Sequence, residues 1–154
     1  MQLPDANVRS SSYLIAEMQV PCTQCGRPCR VLALALPPEH EISTDDEWQR
    51  IDANAFIFYV ASLPRAVSRL VLERSADFHQ TCSGDPAESH WANHCSHCAK
   101  VFSDDELHCE PGGFMPGDAL EAQAISLTYV QQAFSAFASG YAPDPEFFAS
   151  MRRR

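Results

Sequence analysis

The chain of 154 residues contains no long hydrophobic run. Its longest apolar stretches, Val31 to Leu36 and Ala55 to Ser62, fall far short of the roughly 20 residues a membrane helix needs, so no membrane association is expected. The opening stretch, Met1 to Ser12, is polar and has no apolar core of the signal-peptide kind, which makes a cytoplasmic location the expectation. Positive charge is also scarce. Eleven basic residues face twenty acidic ones for a net charge of −9, and Lys100 is the single lysine. Three of those eleven are the terminal Arg152, Arg153 and Arg154, so the rest of the chain is more acidic still. A nucleic-acid binder needs a basic face to displace counterions from phosphate, and this balance argues against one. An acidic surface suits solvation or docking to a basic protein partner. Nor does the chain carry a G-x-S-x-G elbow, a P-loop or a G-x-G-x-x-G turn.

What it does have is cysteine: seven in all, an odd number that cannot all pair. Four form two C-x-x-C pairs, Cys22-Thr-Gln-Cys25 and Cys95-Ser-His-Cys98. Together they supply the four thiolates a tetrahedral zinc ion takes at about 2.3 Å. Closing the loop between Cys25 and Cys95 costs about 4 kcal/mol of chain entropy. A structural zinc ion contributes about 10–16 kcal/mol, so the long separation is no obstacle. The residues that read as metal ligands are Cys22, Cys25, Cys95 and Cys98. A redox dithiol of the thioredoxin kind sits where a strand meets a helix, and neither pair has a helix signal after it.

Four sulfurs close the coordination shell, whereas catalytic zinc keeps an open position; the site therefore reads as structural, with no catalytic residue assigned. Pro21-Cys-Thr-Gln-Cys25 matches half of the zinc-deaminase signature, but the His-x-Glu half fails because Glu41 directly follows His40. Cys29, on the outgoing strand, reads as a small buried hydrophobe, and Cys82 and Cys109 as core or spare thiols. His79, His90, His94, His97 and His108 read as surface or hydrogen-bonded residues, with a second metal site as the alternative. Asp104, Asp105 and Glu106 read as a solvated turn.

Local patterns fill in the elements. Tyr13 to Val20 and Cys29 to Leu36 read as strands joined by a cysteine knuckle, and Gly26 supplies the positive φ of its turn. Residues 37–52 read as an acidic loop with a short helix near Thr44 to Arg50. Ala55 to Val60 reads as a buried strand. Leu63, Ala66, Val67, Leu70 and Val71 follow helical spacing behind Ser62, a candidate cap, and Pro64. Gly84-Asp85-Pro86 marks a turn. Asp118 and Glu121 form a candidate capping box for a long helix carrying Leu120, Ala124, Leu127, Gln131, Phe134 and Phe137 on one side and ending at Gly140. A short helix follows from Glu146 to Met151.

Met18-Gln-Val-Pro-Cys-Thr-Gln-Cys-Gly26 and Asn93-His-Cys-Ser-His-Cys-Ala99 resemble the two knuckles of the zinc-ribbon family, with Ala99 where the second knuckle commonly has glycine. The chain also resembles uncharacterised bacterial proteins with split knuckles and a downstream Glu110-Pro-Gly-Gly113 turn. The resemblance implies a structural metal and no particular activity. The expectation is a single α+β domain over 1–154. It is a zinc ribbon with knuckle regions 13–36 and 89–110, an inserted strand and helix within 37–88, and a long C-terminal helix within 117–151. The expected function is a small acidic protein-binding module of the adaptor, inhibitor or immunity type with structural Zn2+. The alternatives are a zinc enzyme using a separate His/Cys site and a nucleic-acid-binding ribbon.

Overall fold

The computed structural model describes residues 6–81 and 89–154. Its strands are β1 (Val8–Ser10), β2 (Tyr13–Pro21), β3 (Pro28–Leu36), β4 (His40–Thr44), β5 (Glu47–Ile51), β6 (Ala55–Ser62), β7 (Phe78–Gln80), β8 (Trp91–Asn93), β9 (Ser126–Val130), β10 (Phe134–Pro143) and β11 (Arg152–Arg153). They form one mixed sheet in the order β11-β9-β2-β3-β6-β10-β1-β4-β5, with β8 on β6 and β7 on β8. All pairs are antiparallel except β11 with β9. Three short helices accompany it among the described residues: α1 (Arg65–Arg74), α2 (Asp104–His108) and α3 (Ala119–Ala122).

This architecture overturns the zinc ribbon with a long C-terminal helix. The expected inserted strand is no appendage of a small ribbon, because β6 lies inside the sheet between β3 and β10. The acidic stretch expected to be a loop with a short helix is the β4–β5 hairpin. Its tip, Asp45 and Asp46, holds both residues at positive φ (51° and 64°), the geometry of a tight primed turn. The C-terminal helix stops after one turn at Ala122. Beyond it, Ser126-Leu-Thr-Tyr-Val130 is rich in β-formers. In β10 the buried positions are Phe134, Ala136, Ala138 and Gly140, a period of two that the helical spacing of Phe134 and Phe137 concealed. Gly140 is thus no helix stop. It lies opposite Phe58, and a Cβ there would meet the Phe58 ring at 2.2 Å. The expected final helix reduces to one 3-10 turn, Phe148–Ser150.

The run Val31 to Leu36 shows no alternation because both faces of β3 are covered. Val31, Ala33 and Ala35 face one core with Phe56, Phe102, Leu107, Phe114 and Ile125. Leu32, Leu34 and Leu36 face the other with Tyr13, Ile57, Val67, Val71 and Trp91. Helix α1 buries Val67 and Val71 as its spacing predicts, but Pro64 rather than Ser62 stands at its N-cap and no side chain caps it. The cysteines sit at one end of the small-residue face, where Cys22, Cys29 and Cys95 join the first core.

Candidate metal centre

The β2–β3 hairpin carries the first knuckle in its turn, as its sequence predicts. The Cys22 N–H donates to Arg27 O at 2.9 Å and the Gly26 N–H to Cys22 O at 2.8 Å. The second knuckle repeats the pattern: the Cys95 N–H donates to Lys100 O at 2.8 Å and the Ala99 N–H to Cys95 O at 2.9 Å. Gly26 and Ala99 occupy equivalent left-handed positions, φ 76° and 64°. The short stem of the second knuckle is the bridge His94↔Val101.

The two knuckles meet. The sulfurs of Cys22, Cys25, Cys95 and Cys98 all lie within 4.8 Å of one another. Cys22 and Cys98 approach to 3.7 Å and Cys25 and Cys95 to 3.6 Å. A tetrahedron with metal–sulfur bonds of about 2.3 Å has sulfur–sulfur edges of about 3.8 Å, so the cluster fits a metal ion of that size. Among the described residues it is the one group of three or more such side chains that can hold a metal. All four predicted ligands are brought together.

The sulfurs share protons unevenly: against the Lys100 N–H, burial and the neighbouring Cys22 and Cys95 thiols push Cys98 up to about 12, while Cys22 and Cys95 are held down. Backbone N–H groups, from Cys25 first, hold the Cys22 thiol below the ordinary range. At Cys95, burial works upward, but N–H groups of Cys98 and His97 and the Cys29 thiol outweigh it and bring it to about 5. Cys29 lies outside the four-sulfur set. Its Sγ donates to Cys95 Sγ at 3.2 Å, and burial pushes its own thiol up to about 11, so it stays a donor supporting a ligand. Its spacing of four from Cys25 placed it on the strand but not against the second knuckle.

Two cations flank the cluster and tie the knuckles together. Lys100 Nζ bonds Thr23 Oγ1 and reaches Glu106 at 3.3 Å, and Arg27 Nη1 lies 3.4 Å from His97 Nδ1. Four thiolates around a dication would carry a net −2, and positive neighbours of this kind would offset it. The residue sequence reasoning missed is Asn93. Its buried amide accepts from the Leu32 N–H at 2.8 Å and donates to Leu32 O at 2.9 Å, completing β3 where its pairing with β6 has ended. That pair of hydrogen bonds places Cys95, two residues on, beside the first knuckle. Its signal was a lone asparagine in a strand-like segment, a residue type rare in strands.

The remaining candidates scatter. Cys109 is exposed at the end of α2, and Cys82 and the Gly84-Asp85-Pro86 turn lie outside the described residues. His79 and His94 stack at 3.8 Å, His90 packs edge-on against Tyr59, and His108 stacks on Phe58 at 4.6 Å, so among the described residues they build no common site. His40 is buried between Pro37 O at 2.8 Å and the Tyr141 hydroxyl at 2.7 Å. The acidic triplet is not a solvated turn. Ser103 and Glu106 form a capping box for α2, and Asp104 is buried.

Comparison with protein-family models, with curated proteins and with solved structures finds no match. No helix among the described residues is long and apolar enough to cross a membrane.

Proposed function

We propose that the four-cysteine cluster holds one zinc ion as a structural cross-link, and that the protein is a binding module rather than a catalyst. The observation that carries the reading is an all-sulfur set gathered within 4.8 Å, with the Cys22–Cys98 and Cys25–Cys95 edges near tetrahedral length. Four sulfurs leave no position for a substrate or an activated water.

The partner this reading favours is a protein with a basic segment. The β4–β5 hairpin forms the free edge of the sheet, and Asp45, Asp46, Glu47 and Asp52 are exposed on it. Glu39 and Glu41 pair with Arg50 and Arg9, while those four acids make no ion pair among the described residues. A charged edge resists indiscriminate strand pairing yet attracts a complementary chain.

Metal analysis and X-ray absorption test the first half: one zinc per chain with sulfur as every ligand is expected, and nitrogen or oxygen in the shell rejects it. Affinity capture from the native cell tests the second. A partner retained by the protein and lost by an Asp45→Arg, Glu47→Arg variant supports it; equal retention by both rejects it.

A further inference from the structure

In a chain this acidic, four arginines converge on one place. Arg30 on β3 donates to Glu17 Oε2 through Nε at 3.0 Å and Nη2 at 2.6 Å. Arg74 at the end of α1 donates to Glu17 Oε1 at 2.7 Å. Arg154 comes within 3.8 Å of the same carboxylate, and Arg152 stands beside it in one cleft. The cleft, of about 420 Å³, is lined by Glu17, Gln19, Arg30, Ser126, Arg152 and Arg154 among others.

The arrangement is built by the sheet. The parallel strand β11 folds the terminal arginines back, pairing Arg152 with Ser126, and the Arg152 and Arg154 N–H groups donate to Ile125 O and Leu127 O. Strand alternation then sends Arg153 elsewhere, with its guanidinium over the Phe148 ring. Arg152 and Arg154 are left with Arg30.

The charges do not balance. Glu17 is buried and has one negative charge, and both its oxygens are occupied by Arg30 and Arg74. The Arg152 side chain makes no hydrogen bond or ion pair among the described residues, and that of Arg154 makes only the distant approach to Glu17. Gathering like charges is costly unless an anion offsets them. Glu17 orients the Arg30 guanidinium while leaving its Nη1 face free, the fork geometry that takes oxyanions two-pronged. The volume lies in the range of small-molecule sites and exceeds what a bare inorganic anion fills.

We propose that this cleft binds a phosphate-bearing small molecule, whose phosphoryl oxygens are taken by Arg30, Arg152 and Arg154. The site is independent of the metal centre and of the acidic hairpin.

The test is titration of the metal-loaded protein with phenyl phosphate at physiological salt, followed by amide NMR, with phenol as the ligand lacking the phosphate. Saturable one-to-one binding is expected, with shifts centred on Gln19, Ser126 and Arg152. Arg152→Gln and Arg154→Gln are each expected to weaken binding by about tenfold, the loss of one charge-assisted pair, and Arg152→Lys by less. Arg9→Gln, in the distant hairpin region, is expected to leave binding unchanged. Since the Arg152 side chain bonds nothing among the described residues, its variants should keep the parent's melting temperature. Absence of saturable binding, equal shifts with phenol, or equal weakening by Arg9→Gln overturns the proposal. So does tighter, Arg152-dependent retention of a duplex of roughly 20 base pairs, which makes the cleft a nucleic-acid contact.

Discussion

Asp104 Oδ2 accepts the backbone N–H of Tyr59 at 2.7 Å. Tyr59 lies within β6 at φ 51°, a left-handed conformation that is costly for a bulky residue. It stands where β6 leaves β3, last paired at Ile57, and takes up β8 at Val60. The carboxylate satisfies an N–H that the sheet ladder leaves over at this switch.

Burial of the same carboxyl has a pH signature, which the Tyr59 N–H opposes by favouring the ionised form. Burial raises the Asp104 carboxyl from 3.8 to about 6, so the folded state holds its proton more tightly than the unfolded state. Its contribution to stability is present below about pH 4 and lost as pH rises through 6, by about 2–3 kcal/mol. His108, one turn along α2, runs the other way: burial lowers it from 6.5 to about 4, so stability is lost as pH falls through that window. The two slopes oppose each other in the parent. Asp104→Asn keeps an acceptor for Tyr59 and removes one slope. Urea denaturation of both proteins from about pH 4.5 to 7.5 should show the variant gaining on the parent as pH rises; parallel curves would contradict the assignment.

Asn93→Ala strands a buried N–H and a buried C=O of Leu32 at once. A loss of about 2–4 kcal/mol is expected, because each orphaned buried group costs about 1–3 kcal/mol. The damage should reach the metal, since the asparagine positions Cys95: release to a chromogenic chelator should be faster than in the parent at matched stability.

Ala99→Gly should stabilise the protein. Ala99 adopts φ 64° at the position Gly26 fills in the first knuckle. Relief of left-handed strain, about 1–2 kcal/mol, exceeds the entropy penalty of glycine, about 0.5–1 kcal/mol. A rise of a few degrees in melting temperature is the expected reading. The reverse exchange in β10 acts the other way, because Gly140→Ala drives a methyl into Phe58 and should lower stability.

If the cluster holds a structural metal as proposed, removing it should unfold the knuckle end of the sheet. Cys22→Ser and Cys98→Ser are expected to abolish tight zinc binding and solubility, whereas Cys109→Ser, an exposed thiol away from the cluster, should behave as the parent. Metal content and circular dichroism after chelation check this, and equal damage from all three would refute the ligand assignment.

Local chemistry is legible in the amino-acid sequence. The C-x-x-C spacing picks out the four cysteines that converge, Gly26 announces a turn, Pro37 and Pro38 close a strand, and the 3.6-residue spacing of Val67 and Val71 marks α1. These signals are short-range: each depends on dihedral preferences or metal-ligand reach within a few residues. Where two periods fit the same residues, as from Leu120 to Phe137, the helical pattern misleads, because the deciding partners are β2, β6 and β1, distant in the chain. The acidic hairpin escapes a local reading because its turn uses Asp45 and Asp46 in place of the usual glycine or asparagine.

The sequence by itself picked out the four cysteines that the fold brings within 4.8 Å of one another, since coordination chemistry dictates number and spacing. Tertiary structure alone decided that Asn93 docks the second knuckle, that Cys29 supports Cys95, and that arginines from β3 and β11 share a cleft. Those relationships arise from strand pairing over long stretches of chain, 61 positions in the case of Asn93 and Leu32. Which distant strands become neighbours is a property of the assembled sheet, and no local pattern decides it.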